Sequence, residues 1–181
     1  LLVMGHPYLV LIFVNTKQKA DEVTKDLRSH NFKVATIHGD IPSRERRRVM
    51  KQIQQIDYQF VVATDLAARG IDIEGVSHVI NLEIPGELEF FIHRVGRTGR
   101  NGLEGTAITF YTPDQEQAIQ TLEGKGISFE TVELKNGELV ESYDRSRREK
   151  RKNTQSKDLN PRLKGMIKKA KKKVKPCLLY T

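Results

Sequence analysis

The first 144 residues alternate between continuous apolar runs and segments in which apolar residues recur every three or four positions. Residues 8–14 form an apolar run, and Thr16 then begins a pattern that continues through Ala20, Val23 and Leu27. A β-rich run that is apolar throughout is typical of a strand buried on both faces, and the second spacing is typical of an amphipathic helix. This stretch therefore predicts a strand followed by a helix.

The same unit recurs along the chain. Further strands are predicted at 34–37, 60–63, 76–82 and 105–111, and further helices at 45–56, 87–95 and 113–122. Thr112 and Pro113 suit the N-cap and first turn of the last of these helices. Apolar strands that alternate with helices predict an α/β fold, with a mainly parallel sheet and helices on both of its faces.

The pattern changes after Gly126. Residues 129–134 and 138–142 flank the dipeptide Asn136-Gly137, which favours a tight hairpin turn. We expect a hairpin or an extension of the sheet edge at this position.

Charge divides the chain at about residue 145. Residues 145–181 hold 15 Lys and Arg and 2 acidic residues, a net charge of +13, whereas residues 1–144 have a net charge of −5. Such a tail indicates binding to a polyanion, because neutralised phosphates release counterions; the alternative is a solvated tail. The predicted domains are a folded unit at 1–144 and a basic tail at 145–181.

The tail itself has two parts. Its first part is low in apolar residues and rich in charge, which is the composition of disorder. The second part has an apolar set at helical spacing: Leu163, Met166, Ile167 and Ala170. This part is expected to be conditionally helical, folding on RNA or on the ribosome.

Cysteine usage and the first residues bear on the cellular compartment. Cys177 is the only cysteine, so no intrachain disulfide can form, and a reducing cytoplasm is expected. The apolar start lacks a basic leader and is shorter than the roughly 20 residues of a membrane span. We expect no membrane partner, and a chain that begins directly before a strand suggests a fragment of a longer protein.

The segment HRVGRTGR, residues 93–100, places Arg94, Arg97 and Arg100 three positions apart around two glycines. On a helical turn, residues three apart lie on one side, so Arg97 and Arg100 are expected to point at one target. Gly96 and Gly99 permit a close approach of the backbone. Guanidinium groups match phosphate oxygens in charge and geometry. The alternative is a surface of helix-capping arginines.

The segment ATDLAARGIDIEGV begins at the end of a predicted strand, at Thr64-Asp65, and continues through Arg69-Gly70 to Asp72. Ligands of open α/β sheets bind outside the carboxyl ends of the strands, so a ligand is expected near this loop. A cap or turn former is the alternative interpretation of Asp72.

A third loop, HGDIPSRERRR, follows the predicted strand that ends at Ile37. Gly39 is able to offer backbone N–H groups to a phosphate. The next predicted helix begins with four arginines: Arg44, Arg46, Arg47 and Arg48. In the alternative interpretation, two or three of these arginines are simply solvated.

Four segments resemble, in order, motifs IV, IVa, V and VI of the DEAD-box ATP-dependent RNA helicases. They are LIFVNT (11–16), HGD (38–40), ATDLAARGID (63–72) and HRVGRTGR (93–100). The surrounding sequence is similar to the bacterial cold-shock-associated members. The resemblance implies the second, C-terminal RecA-like lobe of an RNA-dependent ATPase, a metal-free α/β sandwich that takes part in local unwinding of short RNA duplexes.

The resemblance also implies roles for single residues. Arg97 and Arg100 match the arginine fingers at the ATP γ-phosphate, and Gly70 and Asp72 match nucleotide-contacting positions, with Asp72 at the ribose. His93 and Arg94 match residues that couple hydrolysis to domain closure. The positions that match the RNA-backbone face are Asn15, Thr16, Gly39, Arg46, Thr64, Arg69 and Gly70. Ser43 stands where the family usually has a Gln that tethers the neighbouring arginine network.

The sequence lacks a GxxxxGK[ST] phosphate loop, a DEAD segment and an adenine-reading Gln motif. ATP with Mg²⁺ is therefore expected to be held by an N-terminal RecA-like lobe of the same protein, and the isolated chain is expected to be inactive. RNA bound by its backbone, with low sequence specificity, is the implied partner, and the ribosome and RNA-degradation machinery are further candidates. The alternatives are a free-standing non-catalytic RNA-binding module and a DNA-unwinding superfamily 2 enzyme.

Overall fold

The computed structural model describes residues 7–68, 73–100, 102, 104–136, 138–141 and 174–180. The strands of this part of the chain are β1 (Val10–Val14), β2 (Val34–Ile37), β3 (Phe60–Thr64), β4 (His78–Asn81), β5 (Gly105–Tyr111), β6 (Glu130–Lys135), β7 (Glu138–Glu141) and β8 (Val174–Tyr180). Its helices are α1 (Lys17–Ser29), α2 (Ser43–Gln54), α3 (Asp65–Ala68), α4 (Leu88–Val95) and α5 (Glu116–Gly124), with a 3-10 turn at Pro113–Gln115.

The strands form one sheet in the order β2-β3-β1-β4-β5-β8-β6-β7. The central strand β1 pairs in parallel with β3 on one side and β4 on the other, so that Val10 lies opposite Phe60 and His78. β2 and β5 extend the sheet in the same direction. This mainly parallel sheet confirms the predicted RecA-like α/β fold. The side on which β1 to β5 end is called the carboxyl edge below.

Both faces of the central strands are buried. Leu11 and Phe13 of β1 pack in the core formed with α2, α3, α4 and α5, whereas Val10, Ile12 and Val14 pack in the core formed with α1. Successive side chains of a strand point to opposite faces, so a strand covered on both faces needs an uninterrupted apolar sequence. The predicted placement of helices on both faces is confirmed.

The turn residues behave as the sequence predicts at two places. The side chain of Thr112 and that of Gln115 form a reciprocal capping box at the turn that opens with Pro113. β6 and β7 form an antiparallel hairpin with Leu134 opposite Leu139, and Asn136 has a positive φ of 51°. Asn is one of the few residues that accept this backbone conformation, and the predicted hairpin is confirmed.

β8 lies inside the segment that the charge pattern assigns to the tail. It pairs in parallel with β5, with Gly105 opposite Val174, and with β6. The sequence does not predict this strand. The predicted tail, disordered or conditionally helical, covers 145–181; its proposed start after residue 144 and its residues 145–173 lie outside the described residues. Among the helices that the structure describes, none is both long enough and apolar enough to cross a membrane.

Candidate active site around helix α4

Arg94, near the end of α4, is one of the most buried side chains of the described structure, with 1% of its surface exposed. Its Nε and Nη2 donate hydrogen bonds of 2.6 Å to the two carboxylate oxygens of Asp65. Nη1 donates to the carbonyl oxygen of Glu83 at 2.6 Å, and Nη2 also donates to Oδ1 of Asn15 at 2.8 Å. A buried guanidinium is tolerated when its donors are satisfied in this way.

The partners of Arg94 come from three neighbouring strands. Asn15 follows β1, Asp65 follows β3 and Glu83 lies just after β4. Asn15 is itself held in place, because its backbone N–H donates to the Glu83 carboxylate at 2.7 Å. The guanidinium carbon also lies 5.2 Å from the ring centre of Phe13, a cation–π distance. These residues form the Arg94 cluster: Arg94, Asp65, Asn15 and Glu83. One side chain thus ties three strand ends together at the carboxyl edge.

Ser43 stands where the family usually has a Gln, and the hydrogen bonds of Arg94 form without that Gln. Ser43 is the first residue of α2, and the hydrogen bonds that fix Arg94 run to Asn15, Asp65 and Glu83. The carboxylate of Asp65 supplies the tether for Arg94, so the usual Gln is not required for it. The sequence offers little signal for this role, because Asp65 and Arg94 are 29 residues apart.

The chain turns sharply after α4, in a segment that we call the arginine loop (residues 96–100). Thr98, only 2% exposed, donates from Oγ1 to the carbonyl oxygens of Val76 at 2.6 Å and Ser77 at 3.0 Å. Arg97 and Arg100 are partly exposed, and Nε of Arg100 donates to the carbonyl oxygen of Gly96 at 2.9 Å. The loop is therefore anchored beside the residues that precede β4.

One detail of the sequence interpretation is wrong. Arg97 and Arg100 do not share a helical turn, because α4 ends at Val95 and the chain then turns, with Gly99 at φ 66°. Glycine is the residue best suited to that conformation, so Gly99 serves the turn itself. The two guanidinium groups come from a loop anchored by Thr98.

The remaining predicted positions fall into three groups. Thr64 ends β3 and is buried, Thr16 caps α1 by accepting a hydrogen bond from the Lys19 N–H at 3.1 Å, and Gly39 is exposed after β2. His93 is exposed on α4. The positions outside the described residues are Arg69, Gly70 and Asp72. Asn15, Thr16, Gly39 and Thr64 therefore lie together along the carboxyl edge.

Arg46 has an internal partner. It lies in α2, is partly buried, and donates from Nη2 to the carbonyl oxygen of Ala67 in α3. Arg46 therefore holds α2 against α3, within the ATDLAARGID segment.

An ion pair missed by the sequence interpretation joins Lys17 of α1 to Asp40 at 2.5 Å. The hydrogen bond between the two raises the pKa of the Lys17 ammonium and lowers the pKa of the Asp40 carboxyl. Both side chains are open to solvent. The pair fixes the loop after β2 to the start of α1. In the described part of the chain, no three His, Cys, Asp or Glu side chains cluster as a metal site would require.

Residues 2–102 match the family of helicase conserved C-terminal domains. The chain belongs to this family. The predicted resemblance to DEAD-box helicases is confirmed by a relative named DEAD-box ATP-dependent RNA helicase CshB, from Listeria monocytogenes, which is 54% identical over 175 residues. That match covers 97% of this chain but 40% of the relative, so this chain, called the helicase domain below, spans less than half of that protein's length.

Solved structures agree with this assignment. The helicase domain is similar to the E. coli DEAD-box protein SrmB, crystallised with the regulator of ribonuclease activity A (RraA), at 31% identity and a TM-score of 0.65 over 70% of this chain and 74% of that one. It is also similar to the C-terminal domain of the DEAD-box protein Dbp5, at 32% identity and a TM-score of 0.60 over 65% of this chain and 69% of that one. The domain is therefore a DEAD-box C-terminal domain in fold and sequence.

Proposed function

We propose that this chain is the second lobe of an RNA-dependent ATPase that unwinds short RNA duplexes, with Arg97 and Arg100 as its arginine fingers. The arginine loop is the observation that carries the proposal. Thr98 anchors the loop through the carbonyls of Val76 and Ser77, so the backbone that carries both arginines is held in place. Positive charge held in advance of the reaction stabilises a transferring phosphoryl group without further reorganisation.

The nucleotide is assigned to the cleft between this lobe and an N-terminal lobe of the same protein. Asp72, at the ribose, and Gly70 directly precede the described segment that begins at Ile73, and Val76 in that segment contacts Thr98. This proximity supports a shared nucleotide face. Mg²⁺ is assigned to the N-terminal lobe, with the phosphate loop and the DEAD segment that the family uses to hold it.

The RNA backbone is assigned to the carboxyl edge. The residues proposed to contact it are Asn15, Thr16, Gly39, Arg46, Thr64, Arg69 and Gly70. Arg46 and Asn15 have internal hydrogen bonds, so part of their contribution is to position α3 and the residues that follow β4. His93 and Arg94 connect the two faces, because α4 carries the Arg94 cluster at the carboxyl edge and continues into the arginine loop.

Two further observations concern partners. Leu66, next to the Arg94 cluster, leaves 77% of an apolar side chain exposed, which supports a protein surface that packs over it; we assign that surface to the N-terminal lobe. SrmB was crystallised with a regulator of ribonuclease activity, which supports RNA-degradation machinery as a partner class. The ribosome as a partner, the RNA-binding role of the tail and the cytoplasmic location remain predictions from the sequence.

The test uses the complete two-lobe protein at saturating RNA and ATP. Arg100→Ala is expected to cut ATPase turnover by at least about a hundredfold, because arginine fingers contribute on the order of 10³ to 10⁵ in related enzymes. Arg100→Lys is expected to be severely impaired as well, since it keeps the charge but loses the planar fork. The isolated 181-residue chain is expected to show no turnover.

Lys25→Ala, a cation removed from the exposed side of α1, is the control and should leave turnover unchanged. If Arg100→Ala altered RNA affinity alone and left saturated turnover intact, the arginine loop would be an RNA contact and not part of the nucleotide site. A two-lobe protein that binds RNA but has no ATPase activity would instead favour a non-catalytic RNA-binding module.

A further inference from the structure

The exposed face of α2 carries four cations at spacings of three, four and seven residues. We call them the α2 stripe: Arg44, Arg47, Arg48 and Lys51. Residues at these spacings share one side of a helix. The opposite side of α2 is the one that packs on the core, through Val49, Met50 and Ile53. The stripe is therefore the solvent-facing surface of a helix whose other face is fixed.

The charge on α2 contrasts with the rest of the folded unit. Residues 43–54 hold five cations and one acid, a net charge of +4, whereas residues 1–144 as a whole have a net charge of −5. The remainder of residues 1–144 therefore has a net charge of −9, so α2 is a basic helix within an acidic unit. Like charges three or four positions apart destabilise a helix, and in the described structure no ion pair neutralises the stripe. A bound polyanion would remove that repulsion.

Arg46 shows that the arginines of α2 have two different roles. Its guanidinium donates to Ala67 and anchors the helix, so it does not belong to the stripe. α2 begins shortly after Gly39, at the carboxyl edge, and the stripe extends about 10 Å along the helix axis from Arg44 to Lys51, at 1.5 Å per residue. The stripe therefore starts beside the proposed RNA face and leads away from it.

We propose that the α2 stripe is a phosphate-binding track for the duplex arm of the RNA substrate, next to the single strand held at the carboxyl edge. With α2 aligned along the duplex axis, a length of about 10 Å matches roughly three phosphates of one strand, at about 3.4 Å of axis per phosphate. Recognition of this kind depends on charge and on shape and reads no base sequence. The inference rests on the proposed RNA-binding function and adds a second contact surface to it.

The test measures binding of the 181-residue chain to a fluorescent RNA hairpin with a single-stranded overhang, across a salt series. The stripe variant is Arg47→Gln/Arg48→Gln/Lys51→Gln. The control variant, Lys25→Gln/Lys33→Gln/Lys125→Gln, removes the same number of charges from other surfaces. With about 0.7 to 0.9 per phosphate contact, the slope of log affinity against log salt should fall by roughly 2 for the stripe variant and hardly change for the control.

The possible outcomes distinguish a failure of the stripe proposal from a failure of the proposed RNA-binding function. An equal change in both variants, or none in the stripe variant, would show that the stripe is merely solvated. A parent chain that binds no RNA would contradict the proposed function together with the stripe. Arg47→Lys/Arg48→Lys should retain the salt slope, because phosphate contacts of this type need charge more than fork geometry. If the Gln variant loses its thermal unfolding transition, the single variants Arg47→Gln and Lys51→Gln should each lower the slope by about 0.7 to 0.9, and unchanged slopes in both would contradict the stripe.

Discussion

The segment HRVGRTGR contains a buried arginine near its start and two partly exposed arginines in its second half. Arg94 is enclosed within the lobe and hydrogen-bonded to Asp65, Asn15 and Glu83, whereas Arg97 and Arg100 lie partly exposed in the arginine loop. The three arginines have a regular spacing but two different roles. Arg94 is an internal tie, whereas Arg97 and Arg100 are accessible to a ligand. Arg94 fixes helix α4, and the arginine loop with Arg97 and Arg100 follows directly after that helix.

The difference follows from the chemistry of burial. Removing a guanidinium from water is costly unless its hydrogen bonds and its charge are satisfied, and Asp65 provides both in a bidentate pair. Arg97 and Arg100 are partly exposed, so water solvates part of their charge. Substitutions in the Arg94 cluster should therefore act first on folding, and substitutions in the arginine loop should act first on activity.

The largest effect is expected for Arg94→Ala. It leaves the Asp65 carboxylate, whose side chain is 17% exposed, without its partner. Breaking a buried pair by removing one member costs about 3 to 5 kcal/mol, so the free energy of unfolding should fall by that amount in urea titrations. Arg94→Lys should recover little, because a compact ammonium cannot form the bidentate pair with Asp65 and also reach Glu83 and Asn15.

The double variant Arg94→Ala/Asp65→Ala is the control for this interpretation. It removes the uncompensated carboxylate together with its partner, so it should be less destabilised than the sum of the two single variants. A loss below about 1 kcal/mol for Arg94→Ala would match an exposed pair and would contradict the role given to the cluster.

Gly105→Ala tests whether an internal change is able to displace the arginine loop. A Cβ atom at Gly105 would overlap Oγ1 of Thr98 and the backbone nitrogen of Gly99. Overpacking of this kind costs typically about 1 to 3 kcal/mol. Because Thr98 and Gly99 lie between Arg97 and Arg100, the substitution should also lower ATPase turnover in the two-lobe protein.

Gly102→Ala provides a contrasting glycine variant. Its Cβ would meet no neighbouring atom, although its φ of 82° makes alanine unfavourable there. It should therefore lower stability through the backbone and leave turnover close to that of the parent. If Gly105→Ala had the same ATPase turnover as the parent, the packing of Thr98 and Gly99 against Gly105 would not be needed for the activity of the arginine loop.

The fold is largely predictable from the sequence because its strands are apolar throughout. The predicted strands at 34–37 and 105–111 coincide with β2 and β5, and the other core strands differ by a few residues at their ends. Helix ends are less certain: α2 begins at Ser43, two residues before the prediction, since Pro42 leads directly into it. α3 was not predicted, because its four residues are too few to show a helical period.

The site is predictable in its residues but not in its arrangement. The motifs identify Arg94, Arg97 and Arg100 as a group, yet only the fold brings Arg94 to Asp65 and Thr98 to Val76. Such contacts depend on the order of strands in the sheet, which no local pattern encodes. For the same reason the sequence does not predict β8, whose pairing with β5 joins distant parts of the chain.

The smallest effect is expected for the exposed pair Lys17–Asp40, which lies on the same edge as the Arg94 cluster. The pKa of Asp40 is lowered and that of Lys17 is raised by their hydrogen bond. The depressed pKa of Asp40 means that its stabilising effect is present above about pH 4 and is lost as the pH falls through the folded-state value. The raised pKa of Lys17 means that its effect is present below about pH 10 and is lost as the pH rises further.

A double-mutant cycle with Lys17→Gln and Asp40→Asn should therefore show a small coupling in Tm at pH 7 that disappears near pH 2. Because both side chains are open to solvent, the coupling should also become smaller in 1 M salt, where exposed charges are strongly screened. The corresponding cycle with Arg94→Ala and Asp65→Ala should keep most of its coupling in 1 M salt, since burial excludes the screening ions. If both cycles lost their coupling to the same extent in salt, the Arg94 cluster would be accessible to solvent, and the distinction between the internal tie and the exposed surface would not hold.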